Sequence, residues 1–105
     1  MKIIETQIFT KRVREIIDEE EYRELQNALI INPELGKIIQ GSGGVRKIRW
    51  SGSGRGKRGG SRIIYFWVKE QDNLLMLFIY RKNEKDDLTK DQIKVLKSVV
   101  ESELK

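Results

Sequence analysis

The chain has 105 residues, of which 35% are charged and 38% hydrophobic. Because the apolar residues recur in periodic blocks, this composition favours one folded domain spanning residues 1–105 over a disordered chain. Cysteine and histidine are both absent. A disulfide framework is therefore excluded, and acid–base chemistry must use lysine, arginine, tyrosine or carboxylates. No apolar run approaches the roughly 18 residues of a membrane span. The N-terminus does not resemble a secretory signal, so we expect a cytoplasmic protein.

The first third of the chain is predicted to form a strand followed by two helices. Lys2–Gln7 is rich in isoleucine and alternates loosely, as a short strand does. A short helix with Thr10 as its cap is expected next. Asp18 has a glutamate three residues later, which is the spacing of a capping box and predicts the start of a second helix. Pro33 ends that helix, because the residue before a proline disfavours helical backbone.

The rest of the chain predicts three strands and a final helix. The strands are expected at Val45–Trp50, Arg62–Val68 and Leu74–Tyr80, and the helix after Thr89. Consecutive strands joined by short connections form an antiparallel meander. The last strand is apolar on both faces, which indicates a central position in the sheet. The order β-α-α-β-β-β-α therefore predicts an α+β domain, with a small antiparallel sheet and the helices packed on one of its faces.

Positive charge is concentrated in the middle of the chain. Nine of the 21 basic residues and none of the 16 acidic ones lie between Leu35 and Lys69. Like charges this close repel one another and suit a polyanionic partner such as RNA. Lys47 and Arg49 share one face of their strand, about 6.5–7 Å apart, and Arg62 begins the next strand. The alternative interpretation is a solvated loop and a polar sheet face whose charges only maintain solubility, but such charges normally mix both signs.

Two other features in this region are assigned to structure. The glycine-rich segment Gly52–Gly60 leads into a strand rather than a helix, so it does not match a nucleotide-phosphate loop. The aromatic residues Tyr65, Phe66 and Trp67 are expected in the core, with Tyr65 and Trp67 on the face opposite Phe66. We expect no metal site and no small-molecule cofactor, because the basic region contains neither histidine, cysteine nor acid.

The chain resembles the RelE/HigB superfamily of bacterial toxins from type II toxin–antitoxin modules, and within it the HigB-type branch. The resemblance covers nearly the whole chain and lies in five segments: Asn32–Gly36, Gly41–Arg49, Gly54–Tyr65, Tyr80–Glu84 and Asp87–Thr89. It implies a RelE-like fold and a ribosome-dependent mRNA interferase. Such an endoribonuclease cuts translated mRNA in the A site of the 70S ribosome by metal-independent attack of a 2′-OH. It also implies inhibition by a cognate antitoxin protein.

The resemblance further implies the functional residues. The expected catalytic set is Arg62, Lys82, Lys57, Lys47, Arg49 and Tyr80, and the expected RNA-binding set is Arg46, Arg55, Arg58 and Arg81. Either Lys82 or Arg81 matches the family's basic position after the fourth strand. Some relatives have a catalytic tyrosine in the C-terminal segment, which this chain lacks, so either Tyr80 replaces it or a lysine is the general base. The alternative function is a basic RNA- or ribosome-binding module that represses translation without cutting RNA.

Overall fold

The computed structural model describes residues 1–50, 60–84 and 87–103. A short 3-10 helix, Lys69–Gln71, separates the last two strands. The remaining elements in chain order are β1 (Lys2–Glu5), α1 (Gln7–Ile16), α2 (Glu19–Ile31), β2 (Lys37–Ile38), β3 (Arg46–Trp50), β4 (Ser61–Val68), β5 (Asn73–Arg81) and α3 (Lys90–Glu103). None of the helices in these described ranges is long and apolar enough to cross a membrane.

Side-chain caps determine where the helices begin. The prediction that Thr10 caps the first helix is wrong, because the Thr6 hydroxyl accepts a hydrogen bond from the Phe9 N–H at 3.1 Å and α1 begins at Gln7. The capping box at Asp18 is confirmed: its carboxylate accepts from the Glu21 N–H at 2.8 Å. The cap at Thr89 is confirmed as well, since its hydroxyl accepts from the Gln92 N–H at 3.1 Å. These bonds satisfy backbone donors that have no partner within the helix.

The five strands form one sheet in the order β1-β5-β4-β3-β2. The antiparallel meander of β3, β4 and β5 is confirmed, and so is the central position of the last strand, β5, between β1 and β4. The sheet is not wholly antiparallel as expected, because β1 pairs with β5 in the parallel direction. Two helices separate β1 from the meander, so no tight turn forces an antiparallel pairing on it.

The α+β, RelE-like class is confirmed, but the helices cover both faces of the sheet rather than one. On the first face, α1 and α2 pack on residues that include Ile48, Ile63, Tyr65 and Met76. On the second face, α3 contributes Val100 to a smaller core with Val45, Ile64, Phe66, Leu75 and Leu77. Both faces need cover because β4 and β5 are apolar on each side. The predicted division of the aromatic residues, with Phe66 opposite Tyr65 and Trp67, is confirmed.

Helix α1 also covers the edge of β5 that extends past β1. The Thr6 hydroxyl donates to the carbonyl of Leu77 at 2.9 Å, and Arg12 Nε donates to the carbonyl of Ile79 at 2.9 Å. β1 pairs with β5 only as far as Met76, so these two carbonyls have no strand partner on that side. The contacts from α1 cover an edge that could otherwise pair with another chain and aggregate. The contacts also hold the end of β5 against α1, which fixes the position of the next residue, Tyr80.

The segment that joins α2 to β2 is anchored by hydrogen bonds from side chains of β3 and β4. The Tyr65 hydroxyl donates to the carbonyl of Pro33 at 2.8 Å and accepts from the Gly36 N–H at 2.8 Å. Arg46 donates to the carbonyl of Gly36 at 2.7 Å and to that of Glu34 at 3.2 Å. A Cβ on Gly36 would lie 2.9 Å from the Tyr65 ring, so this close approach requires glycine. The Asn32–Gly36 motif is thus locked to the sheet.

Candidate nucleic-acid interface

A cross-strand row of polar side chains lies on the face that α3 partly covers. Arg49 on β3 is directly opposite Arg62 on β4, which is directly opposite Tyr80 on β5. Side chains opposed in this way have Cβ atoms about 4.5–5.5 Å apart, and like charges at that spacing are destabilising. Arg62 is only 8% exposed, so water screens its charge poorly. The register therefore brings together two cations that an anion would stabilise.

Lys47 lies in the next row of the same face and is paired with an acid. Its Nζ is 3.2 Å from Oδ1 of Asp87, which lies in the connection before α3. The N–H of Leu88 also donates to this oxygen at 3.0 Å. That backbone hydrogen bond, together with the nearby charges of Lys47 and Arg49, lowers the pKa of Asp87. The basic region is acid-free in sequence, yet the fold brings one carboxylate to it from 40 residues downstream.

Tyr80 completes the row as a buried hydroxyl. The residue is 1% exposed, and its hydroxyl has no hydrogen-bond partner among the residues that the structure describes. Burial raises the pKa of Tyr80, the negative charge of Asp87 raises it further, and Arg62 partly offsets both effects. The phenol is therefore protonated at neutral pH and can donate a hydrogen bond to an anion.

A groove of about 730 Å³ runs beside the cationic row, along the edge of β3 that β2 leaves uncovered. Its charged lining residues are Lys37, Lys47, Arg49 and Asp87, and its apolar ones include Leu35, Ile38, Ile39, Trp50 and Ile93. Sequence reasoning did not select Lys37, Ile38 or Asp87 as site residues. Lys37 could have been selected because it lies in the acid-free segment. No local feature of the sequence indicates that Asp87 lies beside Lys47.

The structure does not bring all predicted residues to this face. Arg46 points to the opposite face, toward Glu34 and Gly36, and Arg81 donates to the carbonyl of Glu15 in α1. Lys82 is exposed in the turn after β5, where its N–H donates to the carbonyl of Gly60 at 3.3 Å. Three further predicted residues, Arg55, Lys57 and Arg58, lie outside the described residues.

The turn after β5 is tied to helix α1. Glu84 accepts from the Arg81 N–H at 2.7 Å and from Arg12 at 3.0 Å. These contacts, with the Arg81 N–H first, lower the pKa of Glu84. Within residues 1–50, 60–84 and 87–103, no three histidine, cysteine or carboxylate side chains are grouped closely enough to hold a metal ion.

Comparison with known proteins agrees with this architecture. The family model described as the RelE toxin of the RelE/RelB toxin–antitoxin system matches residues 1–105. Among solved structures, a chain of the intact E. coli RelBE toxin–antitoxin complex is 14% identical, with a TM-score of 0.60 over 76% of this chain and 94% of that one. A double arginine-to-alanine mutant of free E. coli RelE is 12% identical, with a TM-score of 0.60 over 94% and 95% of the two chains.

The isolated E. coli RelE toxin is similar to the same extent, at 14% identity and a TM-score of 0.59 over 93% of this chain and 97% of that one. At these identities the solved structures show the shared fold. The HigB-type branch stays a prediction, because the family model covers RelE toxins in general. Since that model matches the chain over its whole length, the protein belongs to the RelE toxin family of toxin–antitoxin systems.

Proposed function

We propose that this toxin is a ribosome-dependent mRNA interferase, an endoribonuclease that cuts translated mRNA in the A site and so inhibits translation. The observation that carries the proposal is the row formed by Arg49, Arg62 and Tyr80, with Lys47 beside it. Two arginines held opposite each other, one of them buried, are a poor arrangement for stability and a good one for binding a phosphate. Membership of the toxin family supports the same activity.

The proposed reaction is the attack of a ribose 2′-OH on the adjacent phosphorus, with departure of the 5′-oxygen. The developing phosphorane carries extra negative charge on its oxygens. A guanidinium can donate two parallel hydrogen bonds to these oxygens, so Arg62 and Arg49 are assigned to stabilise the phosphorane. The nucleophile belongs to the RNA itself, so the reaction is specific for RNA over DNA.

Tyr80 is assigned as a neutral hydrogen-bond donor to a phosphate oxygen. Its raised pKa makes it unsuitable as a general base near neutral pH, because almost none of the phenol is ionised there. Proton transfer is therefore assigned to the lysines of the predicted catalytic set: Lys47, Lys57 and Lys82. The position of Lys47 supports this assignment, because it shares a strand face with Arg49, which is opposite Arg62.

We also propose that a cognate antitoxin inhibits this chain, since the similar E. coli toxin is solved in complex with RelB. The excess of positive charge between Leu35 and Lys69 favours a partner segment that is acidic and covers the basic face. In that case the association rate should fall steeply as salt is raised from low to physiological concentration. A rate that hardly changes with salt would place the antitoxin elsewhere on the surface.

Induction of the chain in bacteria tests the proposed activity. We expect growth and translation to stop, and mapping of 5′ ends should reveal new in-frame cuts in translated messages. The matched control is Arg62→Ala, which should be expressed but leave messages intact. If translation stops while messages remain uncut, the protein is instead a ribosome-binding repressor without nuclease activity.

A further inference from the structure

The rim of the groove carries apolar side chains that remain exposed to water. Ile38 on β2 is 59% exposed and Leu35, just before β2, is 43% exposed, and both line the groove. Exposed apolar surface costs free energy in proportion to its area, so a ligand that covers these side chains gains binding free energy. Trp50 and Ile93, both half-buried, extend the same apolar lining.

These apolar side chains are carried on an immobilised segment. The Tyr65 hydroxyl bonds to the Pro33 carbonyl and the Gly36 N–H, each at 2.8 Å, on either side of Leu35. Arg46 bonds to the carbonyl of Gly36 at 2.7 Å. Ile38 itself is held by the pairing of β2 with β3. A ligand therefore meets a preformed apolar wall and does not have to order it on binding.

The groove passes around the open edge of β3, and cations lie across that edge from the apolar wall. Ile38 pairs with Arg46, and Trp50 packs on the first-face core, so both lie on the face opposite Lys47 and Arg49. Lys37, Lys47 and Arg49 line the same groove, whose volume of about 730 Å³ is within the range of small-molecule sites. A nucleotide combines a phosphate with a planar base whose ring faces pack well on apolar side chains, so it matches both parts of the groove. In a duplex the faces of the base are stacked and unavailable, so only an unpaired nucleotide fits.

We propose that this groove is a subsite for one unpaired nucleotide of the RNA that spans the open edge of β3, with its phosphate on Lys47 and Arg49 and its base against Ile38, Leu35 and Trp50. The inference rests on the proposed function for the identity of the polyanion as RNA. It goes beyond that function because it assigns the base as well as the phosphate, and because it makes Ile38 and Leu35 determinants of affinity. The rival occupant is an acidic peptide with apolar side chains.

Binding of two synthetic ligands of equal charge tests the subsite. One is a fluorescent single-stranded oligoribonucleotide, and the other is the same ribose-phosphate chain with all bases removed. The purified chain should bind the intact RNA at least about fivefold more tightly, because covering a base and the apolar wall is worth this much or more. Ile38→Thr keeps the β-branched shape and should remove most of that ratio.

Ile31→Thr is the matched control, because Ile31 is 84% exposed at the end of α2 and does not line the groove. It should leave the ratio unchanged. Equal binding of the two ligands by the unaltered chain overturns the subsite, and so does a ratio that survives Ile38→Thr. Induction and 5′-end mapping are independent of this ratio. Equal binding of the two ligands by a chain that still cleaves messages would therefore sink the subsite alone, while absence of cleavage with the binding ratio intact would sink the proposed activity alone.

Discussion

Replacing Arg62 by alanine should reduce RNA cleavage much more than RNA or ribosome binding. Arg62 is 8% exposed and lies between Arg49 and Tyr80 in the cross-strand row, so its guanidinium is held where the phosphate is expected. The interaction strengthens only as the phosphorane gains charge, and removal of one such preorganised donor costs about 3–4 kcal/mol. The cleavage rate should therefore fall by roughly 150- to 800-fold.

The rate should be measured on purified ribosomes that hold a defined codon in the A site, with toxin in excess and product followed over time. Binding is measured separately as the concentration of toxin that half-saturates these ribosomes. Binding should weaken by less than about tenfold, because several other cations of the basic region still contact the RNA. Arg62→Lys keeps the positive charge but cannot donate two parallel hydrogen bonds, so its cleavage rate should lie between those of the unaltered toxin and Arg62→Ala.

Lys69→Ala is the charge-matched control for this experiment. Lys69 directly follows the far end of β4, about 23 Å along the strand from Arg62 by strand geometry. The Lys69→Ala substitution removes one positive charge, as Arg62→Ala does, and should leave the cleavage rate nearly unchanged. The assignment of Arg62 is refuted if its replacement by alanine weakens binding and cleavage by the same factor, or if Lys69→Ala slows cleavage as much.

Three further substitutions test the surrounding contacts. Tyr80→Phe should slow cleavage while leaving thermal stability unchanged or higher, because the lost hydroxyl is buried without a partner among the described residues; with a raised pKa, Tyr80 should add no pH-dependent rise in rate between pH 7 and 9. Asp87→Asn releases Lys47 from its ion pair and should tighten RNA binding about 1.5- to 5-fold, a modest gain because Asp87 is well exposed to water. The salt dependence of binding should become steeper by about 0.7, and weaker binding would contradict this. Tyr65→Phe leaves the buried Gly36 N–H without its hydrogen-bond acceptor and should lower the free energy of unfolding by about 1–3 kcal/mol. The Tm should fall by several degrees. An unchanged Tm would show that the hydroxyl does not anchor the segment.

Local signals predicted much of the fold. The capping pairs at Asp18 and Thr89 are short-range hydrogen bonds, so sequence spacing was sufficient to find them. The apolar character of the last strand on both faces likewise indicated its central place. The same signal implies cover on both faces of the sheet, which is why α3 lies opposite α1 and α2. The true cap, Thr6, falls within Lys2–Gln7, whose alternation predicts a strand, so local patterning does not reveal it.

Strand alternation predicts only part of the site, because the rest depends on the register between strands and on long-range packing. Alternation placed Lys47 and Arg49 on one face, but the register that puts Arg62 between Arg49 and Tyr80 depends on pairing across two strand connections. Alternation also sends Arg81 to the face opposite Tyr80 and Arg46 to the face opposite Lys47, so neither arginine has structural support as an RNA contact. The pairing of Asp87 with Lys47 is a long-range contact set by the packing of α3, and no local pattern reports it.

A single 2′-deoxy substitution tests the central claim most directly. Ribosomes are programmed with two mRNAs that differ only in whether the nucleotide 5′ to the scissile phosphate carries a 2′-OH, and the purified toxin is added to each. The proposed mechanism predicts cleavage of the ribose-containing mRNA, a 5′-hydroxyl on the downstream fragment, and no cut at that position in the deoxy mRNA. Cleavage of both mRNAs at the same position, or a 5′-phosphate on the product, would contradict attack by the 2′-OH.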